Sequence, residues 1–273
     1  MIMNHEKING TVSAMTFNVW CGSPKKDDRC DYAIKMLRKA MPDVLGVQEA
    51  TPLWLEILKE GLSDIYDVVG FGRDSAMNED YTLAENKGEG TFVFYKRDMF
   101  ELLETKTFWL SPTPTVSRSM YEGQSYLRVV TWARLRRKAD GKEFVHCNTH
   151  IDFNRDGYPD IQNQQVEQIL NYMKPYQAEG LPVLITGDFN LQESARAYQL
   201  FGPAGFVTSR SIAESFGDNR GTFPNPRPED GGIFIDFLMC NDKWNVKYYS
   251  VVTEGSEVQR VSDHYPVYIE ATI

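Results

Sequence analysis

The chain has 273 residues, 42% apolar and 25% charged, which is enough for one large α/β domain with a real core. Its 29 basic and 38 acidic side chains leave a net charge of −9, which disfavours a long polyphosphate partner bound by lysine and arginine and suits a site that holds a cation. No run reaches the ~18 apolar residues of a membrane span, and the start MIMNHEKING lacks the apolar core of a signal peptide, so a cytoplasmic location is expected.

Residues 1–10 read as a flexible tail ahead of one domain that runs to residue 273. VSAMTFNVW (12–20) predicts a strand, CDYAIKMLRKAM (30–41) carries the helical period, and DVLGVQEA (43–50) is a second strand. This βαβ start argues for parallel pairing. A further helix is expected from Pro52. The middle of the chain, 91–151, reads as strands joined by short turns, with Asp140-Gly141 in a hairpin. A long helix follows over 161–176, then a buried strand over 182–186, then short helices over 194–201 and 209–216. FIDFLMC, NVKYYSVVT and YPVYIEAT close the chain as strands. About a dozen strands are too many for one compact sheet. The expected fold is a four-layer α/β sandwich, two packed mixed β-sheets flanked by helices.

Six segments share a feature: an apolar run delivers a polar side chain at or near its end. They give Asn18; Gln48 and Glu49; Asn148, His150 and Asp152; Asp188 and Asn190; Asp236; and Asp263 with His264. In open α/β folds, ligands bind outside the strand ends. Residues two apart on a strand share a face, so Asp188 and Asn190 can address one ligand. The chemistry these residues suit is phosphate-ester hydrolysis. Hard carboxylate oxygens suit Mg²⁺, a histidine paired with a carboxylate suits developing phosphate charge, and an asparagine amide donates without adding charge.

Each of these residues also has a plainer reading. Asp and Asn after a strand start turns or cap helices. Asp236 inside an apolar run needs a partner, and His264 is the candidate. Arg128, opening LRVVTWARL, either clamps a substrate phosphate or pairs with an acid. RLRRK (134–138) reads as a solvated edge, and NRDGYPD (154–160) as a loop bordering the site together with 111–124 and 219–232. His146 is given no role. The four cysteines, Cys21, Cys30, Cys147 and Cys240, lack CxxC or zinc-ligand spacing, which argues against a zinc hydrolase and for free thiols.

TFNVW, GVQEA, NTHID, TGDFN, IDFLM and SDHYPV, in that order over residues 16–267, make the chain resemble the endonuclease/exonuclease/phosphatase superfamily, which includes deoxyribonuclease I. FWLS (108–111), RVVTWA (128–133) and GTF (221–223) resemble a bacterial subgroup of it. The resemblance implies a Mg²⁺- or Mn²⁺-dependent phosphoric ester hydrolase. It implies Glu49 as principal metal ligand with Asn18 and Asp263 near the metal. Asp188 would orient or deprotonate water, Asn190 would hold the phosphate, and His264 with Asp236 would donate a proton or act as base. His150 matches the second histidine of deoxyribonuclease I, and Glu89 falls where that enzyme has this histidine's carboxylate partner. The expected substrate is a small phosphomonoester or phosphodiester. A nuclease acting on DNA or RNA is the alternative, and a catalytically silent binding module is the alternative of another class.

Overall fold

The structure is a computed structural model describing residues 5–78, 82–224, 231–253 and 261–273. Among these, the βαβ start forms as strand β1 (Val12–Asn18), helix α1 (Arg29–Ala40) and strand β2 (Val44–Ala50), with β1 and β2 parallel. Helix α2 (Pro52–Leu62) follows, with Pro at its first position and the Thr51 hydroxyl accepting from Trp54 N–H as a cap.

The first sheet adds β3 (Tyr66–Val69), β6 (Gly90–Lys96), β13 (Asn245–Val251) and β14 (Val267–Thr272), in the order β13-β14-β1-β2-β6-β3. A two-stranded ribbon, β4 (Ala76–Met77) with β5 (Leu83–Glu85), lies outside it. The second sheet holds β7 (Phe100–Trp109), β8 (Val129–Arg137), β9 (Glu143–His150), β10 (Val183–Asp188), β11 (Phe206–Thr208) and β12 (Asp236–Asn241), in the order β11-β12-β10-β9-β8-β7. Both sheets are mixed, because β1–β2 and β9–β10 pair parallel and their neighbours pair antiparallel.

Strand alternation sorts the side chains into layers. Ala33, Leu37, Trp54 and Leu58 from α1 and α2 join the core of the first sheet, and Phe144 and Leu184 reach that core from the second sheet. Val145, Cys147, Val183 and Ile185 point the other way, onto Val166, Ile169 and Met173 of α3 (Ile161–Ala178). The result is the expected four-layer sandwich. The sheets approach so closely that a Cβ on Gly46 would lie 2.4 Å from Thr186 Oγ1. Only glycine fits there.

Three details depart from the sequence reading. His5 stacks on Tyr248 at 3.8 Å and lies 3.2 Å from Glu270, and Lys7 pairs with Asp43. Residues 5–8 are therefore docked by specific partners rather than forming a free tail, while residues 1–4 lie outside the described residues. The helix expected over 209–216 is the single turn α4 (Ser209–Ile212). Beyond it the backbone bonds to β13 instead, through Glu214 N–H to Val246 O and Gly217 N–H to Tyr249 O. The segment 194–201 forms only a 3-10 turn over Tyr198–Leu200. It buries Ala197 and Phe201 in an aromatic cluster with Phe189, Phe206 and Phe237 rather than along a helical stripe.

Candidate active site

Topology gathers the polar strand ends at one edge of the sandwich. β1, β2, β9 and β10 finish there with Asn18, Glu49, His150 and Asp188. β12 runs antiparallel to β10, and β14 antiparallel to β1, so Asp236 and the Asp263-His264 turn begin at that same edge. Register then sets the neighbours: Asp188 lies beside His150 on one flank and opposite Asp236 on the other.

Two site residues are aimed by strained backbone. Glu49 has φ of 60° where the β2–β6 register shifts, and Asn190 has φ of 50° just past β10. Bulges and left-handed non-glycine residues cost energy and persist where the surroundings hold them, and they redirect side chains. Glu49 is held by Asn18 Nδ2, which donates to its Oε1 at 2.9 Å, and by Cys21 N–H, which donates to Oε2 at 2.8 Å. The same Asn18 nitrogen donates to Asp188 Oδ2 at 2.9 Å, while Asn18 Oδ1 accepts from Trp20 N–H. Asn18 is thus the brace between the two carboxylates.

His264 Nδ1 lies 2.9 Å from Asp236 Oδ2, and its Nε2 lies 3.6 Å from Asp188 Oδ2. Burial opposes charge on this imidazole, but Asp236 and Asp188 outweigh it and hold the pKa up at about 10. Asp188 is pushed up to about 7 by its burial, with Asp236 adding to the effect against the pull of His264. Burial opposes ionisation of Glu49, but the bonds from Asn18 and Cys21 hold its pKa below the usual value. Burial also raises Asp263 and Glu89.

The GTF element, which carried no role in the sequence reading, builds the floor of this pair. Thr222 Oγ1 accepts the N–H groups of Ile235 and Asp236, Thr222 O accepts Tyr265 N–H, and the Phe223 ring lies 4.8 Å from the His264 ring. In the loop expected over 219–232, residues 225–230 lie outside the described residues. Asp236 Oδ1 has no hydrogen-bond partner among the described residues.

Three expectations are corrected by the bonding. Asn190 Nδ2 donates to Ile151 O and to His150 Nε2, both at 2.9 Å, so its amide protons orient a histidine instead of facing a phosphate. Because the Ile151 carbonyl only accepts, His150 Nε2 is the acceptor and the ring proton sits on Nδ1. Burial and the nearby Arg128 push the His150 pKa far down, which keeps it neutral. Glu89 bonds to Arg73, at 3.0 and 3.1 Å, and not to His150, because the Arg73 guanidinium offers a two-pronged match. Gln48 and Asn148 do not reach the site. With Thr16, Thr186 and His146 they form a buried polar layer between the sheets, where Gln48 Nε2 donates to Asn148 Oδ1.

Arg128 is buried, touches Asp152 at 3.3 Å, and its Nε has no hydrogen-bond partner among the described residues. It faces Glu49, Asp188 and His150 in a cleft of about 490 Å³. The arginines of RLRRK pair instead with Glu101, Asp140, Glu143 and Glu179, which cancels the run as a nucleic-acid patch. Residues the sequence did not single out also line the cleft: Cys21, Arg73, Tyr126 and Phe153. Arg73 is brought in by FWLS, whose Trp109 Nε1 donates to its carbonyl.

The donor set fits a hard divalent cation. Glu49 and Asp188 place carboxylate oxygens within 4.8 Å of one another, the hard oxygen ligands that such a cation takes. Three carboxyls there, Asp188, Asp263 and Glu89, are raised above their usual pKa chiefly by burial, a cost that a bound cation would offset. No helix among the described residues is long and apolar enough to cross a membrane.

Comparison with known proteins agrees with this fold. An endonuclease/exonuclease/phosphatase protein of Bacteroides vulgatus superposes with a TM-score of 0.86 at 27% identity, covering 96% of this chain and 99% of its own. A mannosyl-6-phosphatase of Bacteroides thetaiotaomicron gives 0.83 at 26%, covering 96% and 100%. The human Nocturnin catalytic domain gives 0.73 at 17%, a likeness of fold, covering 96% and 93%. Among curated sequences, an uncharacterized calcium-binding protein of Arabidopsis thaliana is 22% identical over 254 residues (86% of this chain), and Drosophila melanogaster Nocturnin is 29% identical over 113 (41% of this chain). The matches span 52% and 16% of those proteins' lengths. The sequence profile of the Endonuclease/Exonuclease/phosphatase family matches residues 15–264, and the chain belongs to that family.

Proposed function

We propose that the protein is a divalent-metal-dependent phosphoester hydrolase acting on a small phosphomonoester or phosphodiester, with Mg²⁺ or Mn²⁺ as the cation. The observation that carries this reading is the register that sets Asp188 between His150 and Asp236, with Glu49 braced to it through one asparagine amide.

Glu49 and Asp263 hold the cation, with the Asn18 brace fixing Glu49. A cation held there would supply charge neutralisation at the phosphate and stabilisation of the leaving oxygen. The chain's own groups do the rest. Asp188, with Oδ2 fixed by Asn18 and Oδ1 by Asn190 N–H at 2.9 Å, aims and deprotonates the attacking water. His264 is flanked by two carboxylates and bonded to Asp236, so it serves as the imidazolium that donates to a phosphoryl oxygen. His150, kept neutral and bonded to Asn190, positions that residue beside Asp188, and Arg128 anchors a second phosphoryl oxygen. These positions are fixed before substrate arrives, so little reorganisation is needed at the reaction step.

A small substrate ranks first for two reasons. The mannosyl-6-phosphatase resembles this chain along its entire length, and the arginines that a polyanion would need are paired on the surface. The test is Glu49→Gln in an aryl phosphate assay with titrated Mg²⁺. Activity should collapse, with any remainder needing far more metal; an unchanged metal dependence would remove Glu49 from the cation site.

A further inference from the structure

We propose that Tyr126 and Phe153 form a ring-binding subsite for the alcohol half of a phosphorylated sugar, built onto the Arg128 anchor by Asp152. The proposal rests on the hydrolase reading and names the substrate class of that same site.

Asp152 is fully buried just past the end of β9. Its Oδ2 accepts Ser125 N–H at 2.5 Å and Tyr126 N–H at 3.2 Å, and its Oδ1 lies 3.3 Å from Arg128 Nη2. Its own N–H donates to Gln165 Oε1 on α3 at 2.8 Å. One carboxylate therefore sets both the backbone under Tyr126 and the guanidinium facing the reacting groups. The Tyr126 ring, its centroid 5.4 Å from that guanidinium carbon, is within reach of the alcohol of a phosphate held on Arg128.

The Tyr126 ring is itself pinned. The Arg73 and Arg128 guanidinium carbons lie 5.2 and 5.4 Å from its centroid. Phe153 meets it at 5.8 Å with the rings inclined 67°. Both rings line the catalytic cleft, yet they stay 47% and 42% exposed. Large aromatic surface held rigid at the mouth of a polar site is surface reserved for a ligand.

The geometry also selects among ligands. Rings at 67° make a corner, not the parallel jaws that sandwich a flat base. A corner takes a puckered ring whose C–H faces pack on aromatic carbon. Its hydroxyls need charged partners nearby, and the paired Arg73 and Glu89 line the same cleft.

The test compares kcat/KM for glucose 6-phosphate and mannose 6-phosphate with that for glycerol phosphate, using the Mg²⁺-loaded full chain. Wild type should favour at least one hexose phosphate by roughly tenfold or more, the scale of a modest pocket contact. In the Tyr126→Ala/Phe153→Ala double variant that ratio should fall towards unity, mainly through KM, and Tyr126→Phe should restore it. A ratio unchanged in the double variant overturns the proposal, as does a wild type that prefers adenosine monophosphate to either hexose phosphate. If wild type turns over no phosphoester, the hydrolase reading fails separately. The subsite is then decided by calorimetry with the same ligands: tighter hexose phosphate binding that the double variant loses supports it, and equal affinities overturn it.

Discussion

Two buried aspartates at opposite ends of the sandwich have opposite fates. Asp43 sits just before β2, at the edge away from the cleft. It pairs with Lys7 and with Lys96 at 2.9 Å and accepts Ser13 N–H at 2.9 Å. Burial alone would raise its pKa, but the two lysines and these bonds hold it below the usual carboxylate value. Asp188, at the end of β10, is just as buried, yet its nearest neighbours include another carboxylate, and it is pushed up to about 7. A carboxylate whose charge is fully matched is a fastener. One whose charge is left short is available for chemistry. The same sheet architecture carries both, so the partners decide the role, not the depth.

The sharpest way to break that contrast is substitution at the cleft end. Asp188→Ala should lower kcat by about 10³-fold or more, and His264→Ala by ~10²-fold or more, because each removes a group acting on the reacting atoms. Both variants should melt within a few degrees of wild type. A His264→Ala loss below tenfold in a steady-state assay would take that residue out of the chemistry.

Asp43→Asn should do the reverse. It leaves two lysines without their anion, both partly solvated, so a loss of about 2 kcal/mol in urea unfolding is expected, with kcat retained. The sign of its pH dependence follows from the lowered folded value. The Asp43 contribution is complete above the ordinary carboxylate value of 3.8 and is lost as pH falls through its lower folded value. Wild type and Asp43→Asn should therefore differ in stability at pH 6 and converge in acid. A gap that widens on acidification would reverse the assignment.

The smallest effect should come from Glu89→Gln. The residue fastens Arg73 beside the site and does not touch the reacting groups, so a loss of only a few-fold in kcat/KM is expected, read mainly in KM. A loss as large as that of His264→Ala would place Glu89 in the chemistry instead.

Much of this arrangement was legible from spacing. Apolar runs ending in polar residues located Glu49, His150 and Asp188, since a strand that ends at a sheet edge must present its last side chains there; Asp236, read inside its run, instead opens an antiparallel strand at that edge. What spacing could not carry was bond direction across elements. Asn190 follows the same strand as Asp188, yet its amide is consumed by His150 and Ile151, which only the fold brings close. Gln48 precedes Glu49 by one residue, and strand alternation turns it inward to Asn148, while a bulge turns Glu49 outward. Arg73 lies in an undistinguished loop and is drawn to the cleft by Trp109, 36 residues away. For Thr222 there was a signal in the GTF element, but a backbone-holding hydroxyl has no signature of its own.

The most direct test of the account is one assay. Wild type and Asp188→Ala would be incubated with Mg²⁺, with Mn²⁺ and with EDTA against an aryl phosphate monoester and diester, hexose phosphates, nucleotides, and single- and double-stranded DNA and RNA. The account predicts metal-dependent turnover of small phosphoesters by wild type, abolished both by EDTA and by the substitution. Turnover that survives EDTA or the loss of Asp188, or cleavage confined to nucleic acid, would contradict it.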